Sequence, residues 1–467
     1  MLTQALQQSF SYLREILTTL TGAAILAAGA VLAVRTRAFH LRHLGEILRR
    51  TLGAAVRQGR GGKGRKNLTA FQAACAAVGG TVGTGNIAGV TAAVFLGGPG
   101  AVFWMWVSAL LGMGTKLTEI VLAVRYRSVR DGKSSGGPMY YMEKGLGRAF
   151  RPLAWIYAAG GGLACFGIGN LVQSNEVAGA AEALLHVPRP LTAGLLALIV
   201  GTVLLGGAKG VGALAEKLVP VMAAFYLLCG GAAMLFHPRL LPLFAGKVLT
   251  GAFGWQAAGG GFCGAALAAA LRQGLTRGVF SNEAGLGSGA LIHGSAGGEP
   301  MEQGLWGVFE VFADTLVCTV TAFVAVSSGV ADTPGGLGAF ASPGDAAAVA
   351  FDALLPLPAG GTVVRISAAL FAFTSILGWC VCGEACWLWL GKGGRKTAAV
   401  YRLVFTLALI PGALGGAARL WALSDVLNAL MALPNLLALL LLSGQAAAIV
   451  QSAGTFDAKP ARKRRNL

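Results

Sequence analysis

Charge is what this sequence lacks most. Of 467 residues, 19 are acidic and five are histidine, and all charged residues together make up 12%. A soluble domain carries about a quarter. Metal-binding patterns are missing too. The five histidines form no H-E-x-x-H, and the eight cysteines form no C-x-x-C. Cys380, Cys382 and Cys386 cluster, but no histidine lies near them, which excludes a zinc site. No nucleophile–base pair stands out, so a membrane enzyme finds no support. Glycine is abundant at 71 residues, yet without a G-X-Y period, so collagen is excluded as well.

What remains is apolar chain. Hydrophobic residues make up 55%, more than one soluble core absorbs, since cores stop growing near about 250–300 residues. A bilayer accommodates it. Apolar runs of about 20 residues place spans at 13–34, 69–97, 99–124, 152–184, 190–207, 218–237, 250–280, 303–329, 364–390, 397–414 and 419–447. All eight cysteines (Cys75, Cys165, Cys229, Cys263, Cys318, Cys380, Cys382 and Cys386) fall inside these runs and read as buried small hydrophobes.

The net charge of +18 would suit a nucleic-acid binder if it formed a patch. Here the basic residues sit between apolar runs, where they set topology. Eleven spans put the termini on opposite sides. With the C-terminus inside, cytoplasmic segments hold 30 Lys and Arg against six outside, with Lys116 within a span. That bias predicts an outside N-terminus. The first run is read as a retained helix and not a signal peptide, because its basic cluster begins after it, at Arg35.

Two spans are interrupted. Residues 79–85 carry four glycines in mid-span, and Gly259-Gly260-Gly261-Phe262-Cys263-Gly264 interrupts another. Each glycine costs roughly 1 kcal/mol in a helix relative to alanine. Unwound backbone at membrane depth persists only where it is buried or lines a cavity. The two interruptions are five spans apart. Leaving the first helix aside, the chain divides into two sets of five, each opening on a broken helix. An odd number per set gives opposite orientations, and paired breaks point to a midplane site. The fold class expected is therefore an all-α polytopic membrane protein of about eleven spans. It combines a 5+5 inverted repeat with one extra N-terminal helix. Residues 1–67 hold the extra helix and a basic loop, 68–237 and 250–447 the repeats, and 448–467 a basic tail.

A broken helix suits a zwitterion. Free N–H groups at a half-helix N-terminus attract a carboxylate, and freed carbonyls attract an ammonium or a sodium ion. A small neutral amino acid fits this better than a sugar. The string 83–88 also matches G-x-G-x-x-A, but it lies in a membrane span with no following acid until Glu119, so a dinucleotide fold is excluded. An ion channel is the alternative class, since broken helices also build filters.

The ordered motifs resemble a known family. They are Gly83-Thr84-Gly85-Asn86-Ile87-Ala88-Gly89-Val90, then Gly97-Gly98-Pro99-Gly100-Ala101 with Phe103-Trp104-Met105-Trp106, then Lys116 with Glu119. Further on come Gly136-Gly137-Pro138-Met139-Tyr140-Tyr141, Gly145-Leu146-Gly147, Arg277-Gly278, Ser281-Asn282-Glu283-Ala284-Gly285, Asp314-Thr315, and Phe371-Ala372-Phe373-Thr374 with Gly378-Trp379. Over 68–445 the chain is similar to the alanine/glycine:cation symporters.

That resemblance implies a leucine-transporter-type fold in a bacterial plasma membrane. It implies uptake of alanine or glycine with sodium, or alternatively with a proton, and no cofactor. It places Gly83, Thr84, Gly85 and Asn86 against substrate and cation, with Gly259, Gly260, Gly261 and Phe262 completing the pocket. Gln173 becomes a carboxylate donor. Gly80 and Thr81 would supply carbonyls to sodium, and Thr374 and Ser375 hydroxyls, with Ser375 also near substrate. For Thr374 and Ser375 the competing reading is back-bonding to their own helix. Trp379, one turn beyond Ser375, walls the pocket or packs the core. Among the charges, Lys116 pairs with Glu119, Glu283 pairs with Arg277 near the cytoplasmic face, and Glu310 and Asp314 share a face of one helix.

Overall fold

The computed structural model describes residues 2–58, 67–130, 132–253, 262–356, 359–415 and 417–452, and its chain is almost wholly helical. α1 (Leu2–Arg35) is followed by two shorter helices, α2 (Phe39–Arg42) and α3 (Leu44–Gln58). Next come α4 (Ala70–Thr81), α5 (Ala88–Gly97) and α6 (Gly100–Arg125), and a hairpin of β1 (Ser128–Arg130) and β2 (Lys133–Ser135). α7 (Pro138–Gly145), α8 (Arg151–Phe166), α9 (Val172–Leu185), α10 (Arg189–Leu205), α11 (Gly207–Phe236) and α12 (Leu240–Phe253) follow. α13 (Phe262–Asn282), α14 (Ser288–Gly294), α15 (Pro300–Ser327) and α16 (Pro343–Leu354) lead to α17 (Gly360–Leu390) and α18 (Arg395–Leu414). α19 (Ala417–Leu441) and α20 (Ser443–Ser452) close the described chain.

Local chemistry explains many of the boundaries. α4 opens on a reciprocal cap in which the Gln72 amide N–H donates to Thr69 Oγ1 at 3.1 Å, while the Thr69 N–H donates to Gln72 Oε1 at 3.2 Å. Proline stands in the first turn of α7, α8, α10, α15 and α16, where its missing N–H costs nothing.

Among the described residues, seven helices are long and apolar enough to cross a membrane, or up to nine if each of two bent pairs counts as one span. The 69–97 span is such a pair, bent by 58°. The second bent pair joins the end of α19 to α20 at 64°. The 152–184 span is α8 and α9 joined through a π-turn at Gly167–Leu171. α10 and the 21-residue α13 occupy two further expected spans.

Some segments expected as loops are helical. Residues 208–217 belong to α11, residues 240–249 to α12, and α16 folds within the 330–363 connection.

Leu205, Leu235 and Leu228 are 83%, 82% and 73% exposed. A belt of bare leucine on this scale would make a protein aggregate in water and fits contact with lipid tails instead. The interior is equally telling. Lys116, Glu119, His293 and Glu310 are all buried at its centre, and charges at that depth mark function or tight pairing. α6 is the hub, lined by α13, α15, α12, α14 and α1.

Candidate functional site

The first break falls where glycine is dense in the span. α4 ends as Val82 turns to extended backbone, and Thr84–Asn86 form a single 3-10 turn before α5. The turn is held by one side chain. Asn86 Oδ1 accepts from the Gly83 N–H at 2.9 Å, and its Nδ2 donates to Asp314 Oδ1 on α15 at 2.5 Å. Ser281 on α13 donates to the other oxygen of Asp314 at 2.7 Å. The 3-10 turn and α13 are thus tied to one buried carboxylate.

α17 passes directly behind this break. Ser375 Oγ donates to the Gly79 carbonyl at 3.1 Å, at the end of α4. A β-carbon at Gly83 would lie 3.1 Å from Ser375 Oγ and 3.9 Å from Gln173 Nε2. Gly83, Ser375 and Gln173, from three separate elements, therefore converge. The Gln173 amide nitrogen donates to the Ile168 carbonyl at 3.1 Å across the π-turn. Its oxygen is buried without a partner, as is Thr84 Oγ1. A π-turn frees backbone and re-aims side chains, and such turns gather at functional sites.

The other expected residues are placed as follows. Thr374 Oγ1 back-bonds to the Phe371 carbonyl at 3.0 Å and the Leu370 carbonyl at 3.2 Å, and lies 3.3 Å from Met222 Sδ. Thr81 Oγ1 back-bonds to Ala77 at 2.8 Å. Gly80 packs on Gly378 of α17. Gly85 and Gly89, one turn apart, lie under the guanidinium of Arg277, and a β-carbon at either would fall 2.0 or 2.1 Å from it. Trp379 is buried against Gly169, whose β-carbon would lie 2.2 Å from that of Trp379, and its Nε1 donates to Glu283 Oε1 at 3.2 Å. Gly259, Gly260 and Gly261 lie outside the described residues. Phe262 opens α13, and its side chain lies outside them too.

The structure adds a break that sequence reading missed. Residues 283–287 separate α13 from α14, with positive φ at Glu283 (50°), Gly285 (95°) and Gly287 (81°). α13 packs on α5 and α14 on α4, so this interruption sits level with the first one. The sequence places Glu283 just past the 250–280 span, near the cytoplasmic face. The signal was present as Gly-x-Gly at 285–287, but it lay beyond the apolar run and was read as a loop.

Four helices pin the 283–287 link. Glu119 Oε1 of α6 accepts from the Gly285 N–H at 2.7 Å. Asn435 of α19 donates to Glu119 Oε1 at 2.8 Å and to the Gly285 carbonyl at 2.9 Å. Tyr157 of α8 donates to the Leu286 carbonyl at 3.0 Å. Trp379 of α17 holds Glu283, which also accepts from Ser288 Oγ at 2.5 Å.

Two expected pairings are corrected by this arrangement. Glu283 meets Trp379 and Ser288, not Arg277, because the link turns its side chain away from α13. Lys116 meets Glu310 at 3.7 Å and the Asn282 carbonyl at 3.4 Å, not Glu119, whose carboxylate is committed to the link.

Comparison with known proteins agrees with this architecture. Residues 3–464 match the model of the sodium:alanine symporter family. The sodium/alanine symporter AgcS of Methanococcus maripaludis is 42% identical over 384 residues, covering 81% of this chain and 82% of that one. The probable sodium/glutamine symporter GlnT of Bacillus subtilis is 36% identical, covering 90% of this chain and 84% of that one. The solved structure of MhsT in complex with L-phenylalanine is similar at a TM-score of 0.56 and 16% identity. It covers 84% of this chain and 100% of that chain, and the fold shared is of the leucine-transporter type. On these grounds the chain belongs to the sodium:alanine symporter family, a family of sodium-coupled amino-acid transporters.

Proposed function

We propose that this chain takes up a small neutral amino acid, alanine or glycine, together with sodium, by alternating access around the two level breaks. The observation that carries the reading is the meeting of Gly79, Gly83, Ser375 and Gln173 where the first broken helix unwinds. Backbone N–H groups of Thr84 and Gly85 and the Gln173 amide address the substrate carboxylate. The carbonyl ends of α4 at Gly80 and Thr81, with the Ser375 hydroxyl, address sodium, and Thr374 serves if it leaves its back-bonds. The ion would then link α4 to α17. Hard cations prefer such oxygen shells. The breaks at 82–87 and 283–287 stand as equivalent points of an inverted repeat, residues 68–237 against 250–447. Trp379 limits side-chain size.

Purified protein in proteoliposomes tests the reading. An inward sodium gradient should drive accumulation of labelled alanine, and glycine should compete while arginine, glutamate and sucrose should not. Competition by sucrose as strong as by alanine would overturn it. Competition by glutamine would widen the pocket to the substrate in the name of the Bacillus relative. Uptake that ignores sodium but follows an imposed pH gradient would make the coupling ion a proton. Ser375→Ala should raise the sodium concentration for half-maximal uptake, with alanine affinity largely restored at high sodium, because ion and substrate share one segment.

A further inference from the structure

His293 on α14 and Glu310 and Gln303 on α15 are fully buried, and none of them is among the groups assigned to substrate or sodium. The identities of their partners fix where the hydrogens are. Gln303 Nε2 donates to the Gly297 carbonyl at 2.5 Å, so it is Gln303 Oε1 that faces His293 Nδ1, also at 2.5 Å. An amide oxygen only accepts, so Nδ1 carries a hydrogen. The other ring nitrogen, Nε2, meets Glu310 Oε1. A neutral ring protonated at Nδ1 presents a lone pair there, and so does a carboxylate oxygen. The two atoms attract only with a proton between them, whether the pair is written as imidazolium and carboxylate or as imidazole and carboxylic acid.

We infer that His293 and Glu310 form a proton-binding site that fastens α14, the short arm of the second broken helix, to α15. The proton belongs to the pair and not to either residue. The groups that face the pair come from several elements. Lys116 of α6 lies 3.7 Å from Glu310 Oε2 and already supplies one positive charge. Glu119 of α6, Glu283 of the link and the Cys382 thiol of α17 act on that lysine. α15 adds Asp314, bonded to Asn86 and Ser281. α4 brings the Cys75 thiol and no charged side chain. Past the end of α14, Arg127 donates to the Ala296 carbonyl at 2.9 Å, and β2 carries an exposed Lys133. Removal of the proton would set an anion against a lone pair in a buried site, and the α14 contact would be lost.

The experiment compares wild type with Glu310→Gln. The glutamine amide N–H donates to His293 Nε2 at every pH and leaves its oxygen toward Lys116, so the variant imitates the protonated pair. His293→Gln is the second variant, since its amide donates to the Glu310 carboxylate without any shared proton. Thermal unfolding midpoints of the purified full chain are measured in detergent from pH 6 to 9.5. The native state holds a proton that the unfolded chain releases as pH rises, so wild-type stability must fall over this range. The expected result is a steeper alkaline fall in wild type than in whichever variant folds. Sodium-driven alanine uptake should also fall at least threefold between pH 7 and 9.5 in wild type, and less in Glu310→Gln. Midpoints that move in parallel in all three proteins would overturn the proposal. The uptake arm rests on the proposed symport, whereas the midpoint curves do not. A protein that imports no alanine would defeat the first reading while the curves still decide the second.

Discussion

At the residue scale, Asn86 does the most with one side chain. It accepts from the Gly83 N–H, which closes the 3-10 turn, and donates to Asp314, which ties the turn to α15. Asn86→Ala leaves both partners unmatched in a buried site. A hydrogen bond to a charged group is worth about 1.5–3 kcal/mol, so alanine affinity should weaken roughly ten- to hundredfold, read from the half-saturating concentration for uptake. Asn86→Asp should fare worse, because it sets two carboxylates together. The type and place of Asn86 were legible in the sequence, because a polar residue among mid-span glycines has few structural uses. Its partner was not, since Asp314 lies 228 residues away. Trp379 shows a different gap. Its position one turn beyond Ser375 was readable, but the Glu283 carboxylate that receives its N–H comes from a link invisible to hydropathy.

At the element scale, the first broken helix was readable because four glycines fall inside an apolar run, where no loop is tolerated without burial or a cavity. The second break escaped because its short arm, α14, is only seven residues and carries His293. Packing between broken elements offers a sharp test. Gly89 presents its bare backbone to Arg277, and an added β-carbon would lie 2.1 Å from Nη1. Gly89→Ala should therefore lower the unfolding midpoint in wild type and do so much less in an Arg277→Ala background. A double-mutant cycle of midpoints reads the coupling. Equal losses in both backgrounds would mean that Arg277 yields freely and that the α5–α13 contact is loose.

At the scale of the whole molecule, composition gave the class and the basic residues give an orientation. Cysteines placed at Gly61 and Ala453, in a background lacking native cysteines, should resist an impermeant thiol reagent in intact cells. Strong labelling at either position would invert the 30-to-6 assignment of sides. The number of spans was less legible than the class, because α12 and α16 are helical in stretches that charge and length had assigned to loops.

Asn435 carries one more consequence, and it concerns time. The link that joins α13 to α14 is completed by a side chain 150 residues further along, which at once satisfies Glu119, 316 residues earlier. A ribosome that has just released α15 has made every residue of the two breaks, yet the Gly285 carbonyl still lacks its side-chain donor. Packing of the 283–287 link is therefore completed only when α19 has been made. A chain without that donor keeps a buried carbonyl unmatched at membrane depth, where such a group costs several kcal/mol. Asn435→Ala should accordingly reduce the amount of full-length protein in the membrane more than it slows uptake per surviving molecule, as read by quantitative immunoblot beside transport assay.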